Sequence, residues 1–226
     1  MKKHLFIVHG WAYDVSPWNK TISYLEEAGI KVTMLNVPGL TQPSTKVFTM
    51  NDYVEWADEH LPDGAVALGH SNGGRILMNL AIKHPAKLSH LILLDAAGVR
   101  ERNLMRDSLR VASKVMSPFK KSPKLRKLFH KFIGANDYER APENMKKTMS
   151  NMLDSDKSLE PAKIKTPTTI IWGDADTITP PRQARKLLRL IKNSSLDMYQ
   201  SWGHAAYKTH PREVAQAIVK ALGEIK

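Results

Sequence analysis

The sequence predicts an α/β fold, a doubly wound and mainly parallel sheet of about six strands with a helical lid inserted into it. Three observations carry that prediction. Short β-type runs alternate with helical patterns, and most of the runs are almost continuously apolar, as strands covered on both faces must be. One strand-like run, Ala65-Val66-Ala67-Leu68, passes directly into Gly69-His70-Ser71-Asn72-Gly73-Gly74 and then a helical pattern. The rhythm breaks once: after Leu94-Asp95-Ala96-Ala97-Gly98 about seventy residues pass before the next strand, far more than a single crossover helix needs.

In chain order, the expected strands are His4–Val8, Lys31–Val37, Ala65–Leu68, Leu88–Leu94, Thr168–Trp172 and Leu196–Gln200. Helical periodicity covers Trp18–Ala28, Asp52–Leu61, Asn72–His84 (stopped by Pro85), Gln183–Ile191 and Arg212–Leu222. The long interval is also helical. Leu125, Leu128, Phe129, Phe132 and Ile133 fall on one face, Leu104, Val111 and Val115 make a stripe before them, and Tyr138, Met145, Met149 and Met152 one after. These divide the chain into a core of residues 1–98 and 164–226 and a lid of residues 99–163 within a single domain. Five methionines in the lid (Met105, Met116, Met145, Met149 and Met152) suit an adaptable apolar pocket wall as well as ordinary core.

Composition narrows the function. A chain of 226 residues can bury a real core. It has no cysteine, which removes disulfides, thiolate metal sites and cysteine nucleophiles. No apolar run approaches a membrane span. Met1-Lys2-Lys3 before Leu5-Phe6-Ile7-Val8 imitates a signal peptide, but the run is short and meets His9-Gly10 rather than a cleavage site, so it reads as the first strand of a cytoplasmic protein. The net charge of +12 is uneven: Val99–Ser150 holds 14 Lys and Arg against 5 Asp and Glu. Such a segment invites an acidic partner, or is simply a solvated face.

The chemistry lies in four places. Strand, tight Gly-x-Ser-x-Gly turn and helix together make Ser71 a candidate nucleophile on an elbow, although an ordinary Gly-rich turn or a phosphate loop has the same letters. Serine needs a base to take its proton, and the base needs a third group to fix its tautomer. Loops after the last two strands supply both types: Gly173-Asp174-Ala175-Asp176-Thr177-Ile178-Thr179-Pro180, and Trp202-Gly203-His204. An oxyanion hole needs a main-chain N–H after the nucleophile, which Asn72 offers, and one from an earlier strand loop, here His9-Gly10-Trp11. No grouping of His, Asp and Glu has metal-ligand spacing, and no cofactor is implied.

With HGW, GHSNGG, GDADTITP and GHAAYKTHP in this order, the chain resembles the α/β-hydrolase superfamily along its length, and the α/β-hydrolase fold follows from that resemblance. The same resemblance implies Ser71 as nucleophile, His204 as general base and then acid, Asp176 as the orienting acid, and Trp11 and Asn72 as oxyanion donors. Within the superfamily, HGW with a basic helical lid resembles the esterases that demethylate pimeloyl-acyl carrier protein. The chain departs from the common pattern by starting directly at the strand before HG, and by carrying Asn rather than an apolar residue at position 72.

Neighbouring groups compete for these roles. Asp174 is expected to cap its loop, and Asp95 is a second candidate for the acid. His70 is expected to pack and hydrogen-bond beneath the elbow, and His9 to be structural; His210 takes no role. The expected activity is hydrolysis of a small carboxylic ester, thioester or lactone through an acyl-enzyme, although the superfamily's constellation also serves carbon–carbon hydrolysis and perhydrolysis. The alternative is a non-catalytic hydrolase-fold binding module whose basic lid recruits an acidic partner, such as an acidic carrier protein. Nucleic acid is a poor fit, because Phe119, Phe129 and Phe132 are better explained as the apolar side of lid helices than as stacking platforms.

Overall fold

The computed structural model describes residues 3–99, 141–223 and 225. Six strands form one sheet: β1 (His4–Val8), β2 (Lys31–Met34), β3 (Ala65–His70), β4 (Leu88–Leu94), β5 (Thr168–Gly173) and β6 (Ser194–Tyr199). Their order across the sheet is β2-β1-β3-β4-β5-β6, and every pairing is parallel. All C-terminal strand ends therefore lie along one edge, the edge at which open α/β sheets bind ligands.

Alternation along the strands divides the core in two. Phe6, Val8, Ala67, Leu91, Leu93, Ile170 and Trp172 face one layer, packed by α2 (Met50–His60), α3 (Asn72–Lys83) and α5 (Pro181–Leu190). Leu5, Ile7, Leu68, Ile92, Leu94 and Ile171 face the other, packed by α1 (Asn19–Glu27) and α7 (Pro211–Gly223). Period-2 apolar residues on both faces are what a sheet sandwiched by helices demands. A four-residue helix, α6 (Ala206–Thr209), precedes α7.

The boundaries shift where local chemistry overrides the apolar pattern. β2 ends at Met34 rather than Val37 because Val37 turns the chain instead: its N–H donates to Thr41 Oγ1, and its carbonyl accepts from Leu40 and Gln42. β6 starts two residues early, at Ser194, whose register partner is Thr168. It is an edge strand, so its polar residues can face water and the apolar run marks only part of it. α2 starts at Met50 because Thr49 is its N-cap and Asp52 the third helical residue of a capping box.

The segment expected to form a lid, residues 99–163, falls largely outside the described residues. The stripes at Leu104, Val111 and Val115 and at Leu125 to Ile133, with Met105, Met116 and Tyr138, lie there. Its last part is described as α4 (Glu143–Ser155), which buries Met145, Met149 and Met152. Side chains stitch α4 to the segment before α2: Asn144 Nδ2 donates to the carbonyls of Ser44 and Lys46, Asn151 Nδ2 to that of Phe48, and Phe48 N–H to Thr148 Oγ1 at 2.9 Å. Among the described residues no helix is long and apolar enough to cross a membrane.

Thr148 is fully buried, and Thr148→Val keeps its shape while leaving the Phe48 N–H unpaired. Stability measured by urea unfolding is expected to fall by about 1–3 kcal/mol. A fall of less than about 0.5 kcal/mol would mean that this bond does not hold α4 against the core.

Candidate active site

Ser71 joins β3 to α3 with φ 51° and ψ −117°, a conformation that L-residues rarely adopt. The surroundings over-determine it. Its N–H donates to Leu94 O at 3.2 Å, and its carbonyl accepts from Ala97 N at 2.9 Å and Arg75 N at 3.3 Å. The flanking glycines permit the close approach: a Cβ on Gly73 would overlap the Val8 carbonyl oxygen, and one on Gly69 the backbone of Gly74. Among the described residues, Asp95 and Ser201 are the other non-glycine residues with positive φ, at 44° and 64°, and both follow strands on this same edge. Strain of about 1–3 kcal/mol per residue is thus concentrated where the loops meet.

The two later loops bring His204 and Asp176 to Ser71. His204 Nε2 lies 2.9 Å from Ser71 Oγ, and Nδ1 lies 2.8 Å from Asp176 Oδ2. Because a carboxylate only accepts, Nδ1 carries the proton and Nε2 is free to accept the serine hydrogen. Burial pushes the Asp176 carboxyl upward, but the bond and charge of His204 and the donors of Thr179 outweigh it and hold the group below its ordinary value. Ile178 N–H and Thr179 N–H donate to Oδ1 at 2.7 and 3.0 Å, and Thr179 Oγ1 to Oδ2 at 2.6 Å. The sequence reading missed Thr179, because nothing in its spacing distinguishes it from the rest of the GDADTITP block.

The competing groups have other partners. Asp174 Oδ1 accepts from Ser201 N–H at 2.7 Å, tying the two loops together. Asp95 is fully buried, with Oδ1 accepting from Gly173 N–H at 2.9 Å and Oδ2 unpaired among the described residues. Burial first, and then the charge of Asp176, raises its carboxyl well above the ordinary value, so it is neutral beside an ionised neighbour. His70 donates from Nε2 to His204 O at 2.8 Å and sits edge-on to Trp18 and Tyr207, themselves stacked at 4.1 Å. Burial and the nearby His204 lower its pKa to about 3. His9 donates from Nδ1 to Gly10 O and receives Thr41 Oγ1–H at Nε2, braced beneath the first loop. The His210 ring pairs with Thr209 Oγ1 through Nδ1 at 2.8 Å and lies tilted against Trp202, while its backbone bonds to Ala206 and Val214 join α6 to α7.

Trp11 N–H and Asn72 N–H, from the first loop and the N-terminus of α3, have no acceptor among the described residues. Helix α3 adds its positive end to the second. A serine paired to an imidazole, an imidazole paired to an ionised carboxylate, and two unoccupied amides are what acyl transfer requires. No group of three His, Asp or Glu able to hold a metal ion occurs among the described residues.

An all-parallel six-stranded sheet with this constellation on its C-terminal edge is the arrangement of an α/β hydrolase. A family model described as alpha/beta hydrolase fold matches residues 3–159, and the chain belongs to that family. Its relatives include a pimeloyl-[acyl-carrier protein] methyl ester esterase from Aromatoleum aromaticum, 22% identical over 95% of this chain and 96% of that protein. Another protein of that name, from Nitrosospira multiformis, is 23% identical over 96% of this chain and 93% of its own length. Among solved structures, an alpha/beta hydrolase enzyme from the metagenome of lagoon sediments at Mar Chica, Morocco, superposes with a TM-score of 0.64. It is 23% identical, covers 99% of this chain and 92% of its own, and shares the fold.

The neutral Asp95 gives a pH-dependent test. Its folded pKa lies above the unfolded value, so the stability it contributes is complete below about pH 4 and is lost as pH rises. His70 acts in the opposite sense, its contribution being lost as pH falls from about 6.5 toward 3. Asp95→Asn keeps an acceptor for Gly173 and removes only the first effect. Its stability relative to the parent is expected to grow with pH by up to about 1.4 kcal/mol per unit above pH 4, read from urea midpoints at pH 5 and 7. A variant that instead loses stability relative to the parent as pH rises would make Asp95 an ionised partner in the site.

Proposed function

We propose that this chain is a carboxylic ester hydrolase that works through an acyl-enzyme on Ser71. The observation that carries the reading is the continuous pairing of Ser71 Oγ, His204 and Asp176 at 2.9 and 2.8 Å. In the first half-reaction His204 Nε2 takes the serine proton while Oγ attacks the ester carbonyl. The resulting oxyanion is received by Trp11 N–H and Asn72 N–H, and Asp176 stabilises the imidazolium. Collapse expels the alcohol, which leaves with the proton held on Nε2. Water then attacks the acyl-serine, His204 again accepts its proton, and the proton returns to Ser71 as the acid departs. Thioesters and lactones use the same steps.

The relatives named for a methyl ester on acyl carrier protein, together with the local charge of +9 in Val99–Ser150, support a more specific reading. The acyl group arrives on an acidic carrier, steered to a lid formed by residues 99–163. Most of the charges concerned, from Arg100 to Arg140, lie outside the described residues.

For p-nitrophenyl butyrate, Ser71→Ala and His204→Ala should each lower kcat by about 10⁶ with the fold intact by circular dichroism, and Asp176→Asn by about 10⁴. Near-parental turnover by purified Ser71→Ala would reject the nucleophile. The carrier reading is tested separately by salt. Raising ionic strength from 0.1 to 1 M shortens the Debye length from about 10 to 3 Å. The kcat/KM for a carrier-bound methyl ester should therefore fall steeply while that for the neutral p-nitrophenyl ester stays nearly constant. Equal salt responses would leave the basic segment as a solvated face.

A further inference from the structure

Asn72 lies directly after the candidate nucleophile and is 3% exposed, yet only one end of its carboxamide is satisfied. Arg75, three residues on in α3, donates from Nη1 to Asn72 Oδ1 at 2.5 Å. Arginine has no acceptor, so this bond decides which end of the carboxamide is oxygen and which is nitrogen. Arg75 is itself clamped by Asp156, just past the end of α4: Nε to Oδ1 at 2.6 Å and Nη2 to Oδ2 at 3.2 Å, with the two side chains 7% and 16% exposed. Flipping the amide would point its NH2 at a fixed guanidinium. The Nδ2 group is therefore held in one orientation, buried, and without an acceptor among the described residues.

A buried donor left unpaired is costly and uncommon in native proteins. Among the described residues three buried side-chain N–H donors lack an acceptor: Asn72 Nδ2, Trp11 Nε1 and Trp56 Nε1. Trp56 lies in α2, whereas Trp11 is the other proposed oxyanion residue, and its ring packs against the core layer that contains Phe48 and Met145. Asn72 and Trp11 offer their main-chain amides to the reacting carbonyl, so the oxyanion has its donors without the side chains.

We propose that Asn72 Nδ2 is a specificity-determining donor that binds an acceptor oxygen of the substrate close to the scissile carbonyl. The substrate class is an ester bearing an ether, hydroxyl or oxo oxygen within a few bonds of the reacting carbon, in preference to a plain alkyl ester. This rests on the ester-hydrolase reading above. Loss of the partner from a site built around a hydrogen bond discriminates far more strongly than a missing methylene. Arg75 and Asp156 act through Asn72 as positioning residues.

Two isosteric pairs of esters test it: p-nitrophenyl methoxyacetate against p-nitrophenyl butyrate for the acyl side, and 2-methoxyethyl butyrate against butyl butyrate for the alcohol side. Each is assayed with the parent protein, Asn72→Leu and Asn72→Asp. The second variant keeps an acceptor for Arg75 while removing the N–H, and carries the test should the first fail to fold. The ratio of kcat/KM for the ether ester to that for its methylene twin should fall about tenfold in both variants for one pair, and the affected pair tells which side of the ester holds the oxygen. Unchanged ratios in both pairs would overturn the proposal. So would equal losses on ether and methylene esters, which would make Nδ2 a third oxyanion donor. Absence of turnover by the parent on all four esters would instead reject the hydrolase reading, and this one with it.

Discussion

The constraint on which the active edge depends is the backbone of Ser71. Held at φ 51° between a strand and a helix, it needs contacts that pay for its strain, and β4 and the loop after it supply them through Leu94 O and Ala97 N. That requirement propagates. β3 and β4 must pair in the register that sets Gly69 opposite Leu93 and His70 opposite Leu94, and Gly73 must lie against the Val8 carbonyl so tightly that no side chain fits. The elbow is thus not a local turn. It is fixed by three adjacent strands, β1, β3 and β4, which together form the middle of the sheet.

Electrostatics along the same edge follows from which carboxylates receive donors. Asp176 collects His204, Thr179 and two main-chain amides and stays ionised although it is buried. Asp95, one strand away, receives only Gly173 N–H on one oxygen and is kept neutral. One negative charge is tolerated there and two are not. His70, neutral and boxed by Trp18 and Tyr207, can therefore brace the His204 carbonyl without adding a competing positive charge.

Much of this was legible in the sequence, because the information is periodic or spaced. Apolar runs located all six strands, and the order HGW, GHSNGG, GDADTITP, GHAAYKTHP located the loops that the sheet gathers. What stayed hidden depends on contacts far apart in the chain. Asp156 reaching Arg75 across 81 residues, and through it Asn72, has no signature in either segment. Thr179 lies within a recognised block, yet only the folded loop aims its hydroxyl at Asp176. Edge strands were misjudged at their ends for a related reason, since β2 and β6 are half-wetted and their boundaries are set by hydrogen bonds rather than by apolarity.

The central claim is that Ser71 is a nucleophile activated by His204. It is tested most directly by treating the protein with a fluorophosphonate, which phosphonylates an activated serine with loss of fluoride, and mapping the adduct by peptide mass spectrometry. The account predicts one phosphonyl group per chain, on Ser71, and none in the His204→Ala protein over the same exposure. An unlabelled parent protein, or an adduct on any other residue, would contradict it.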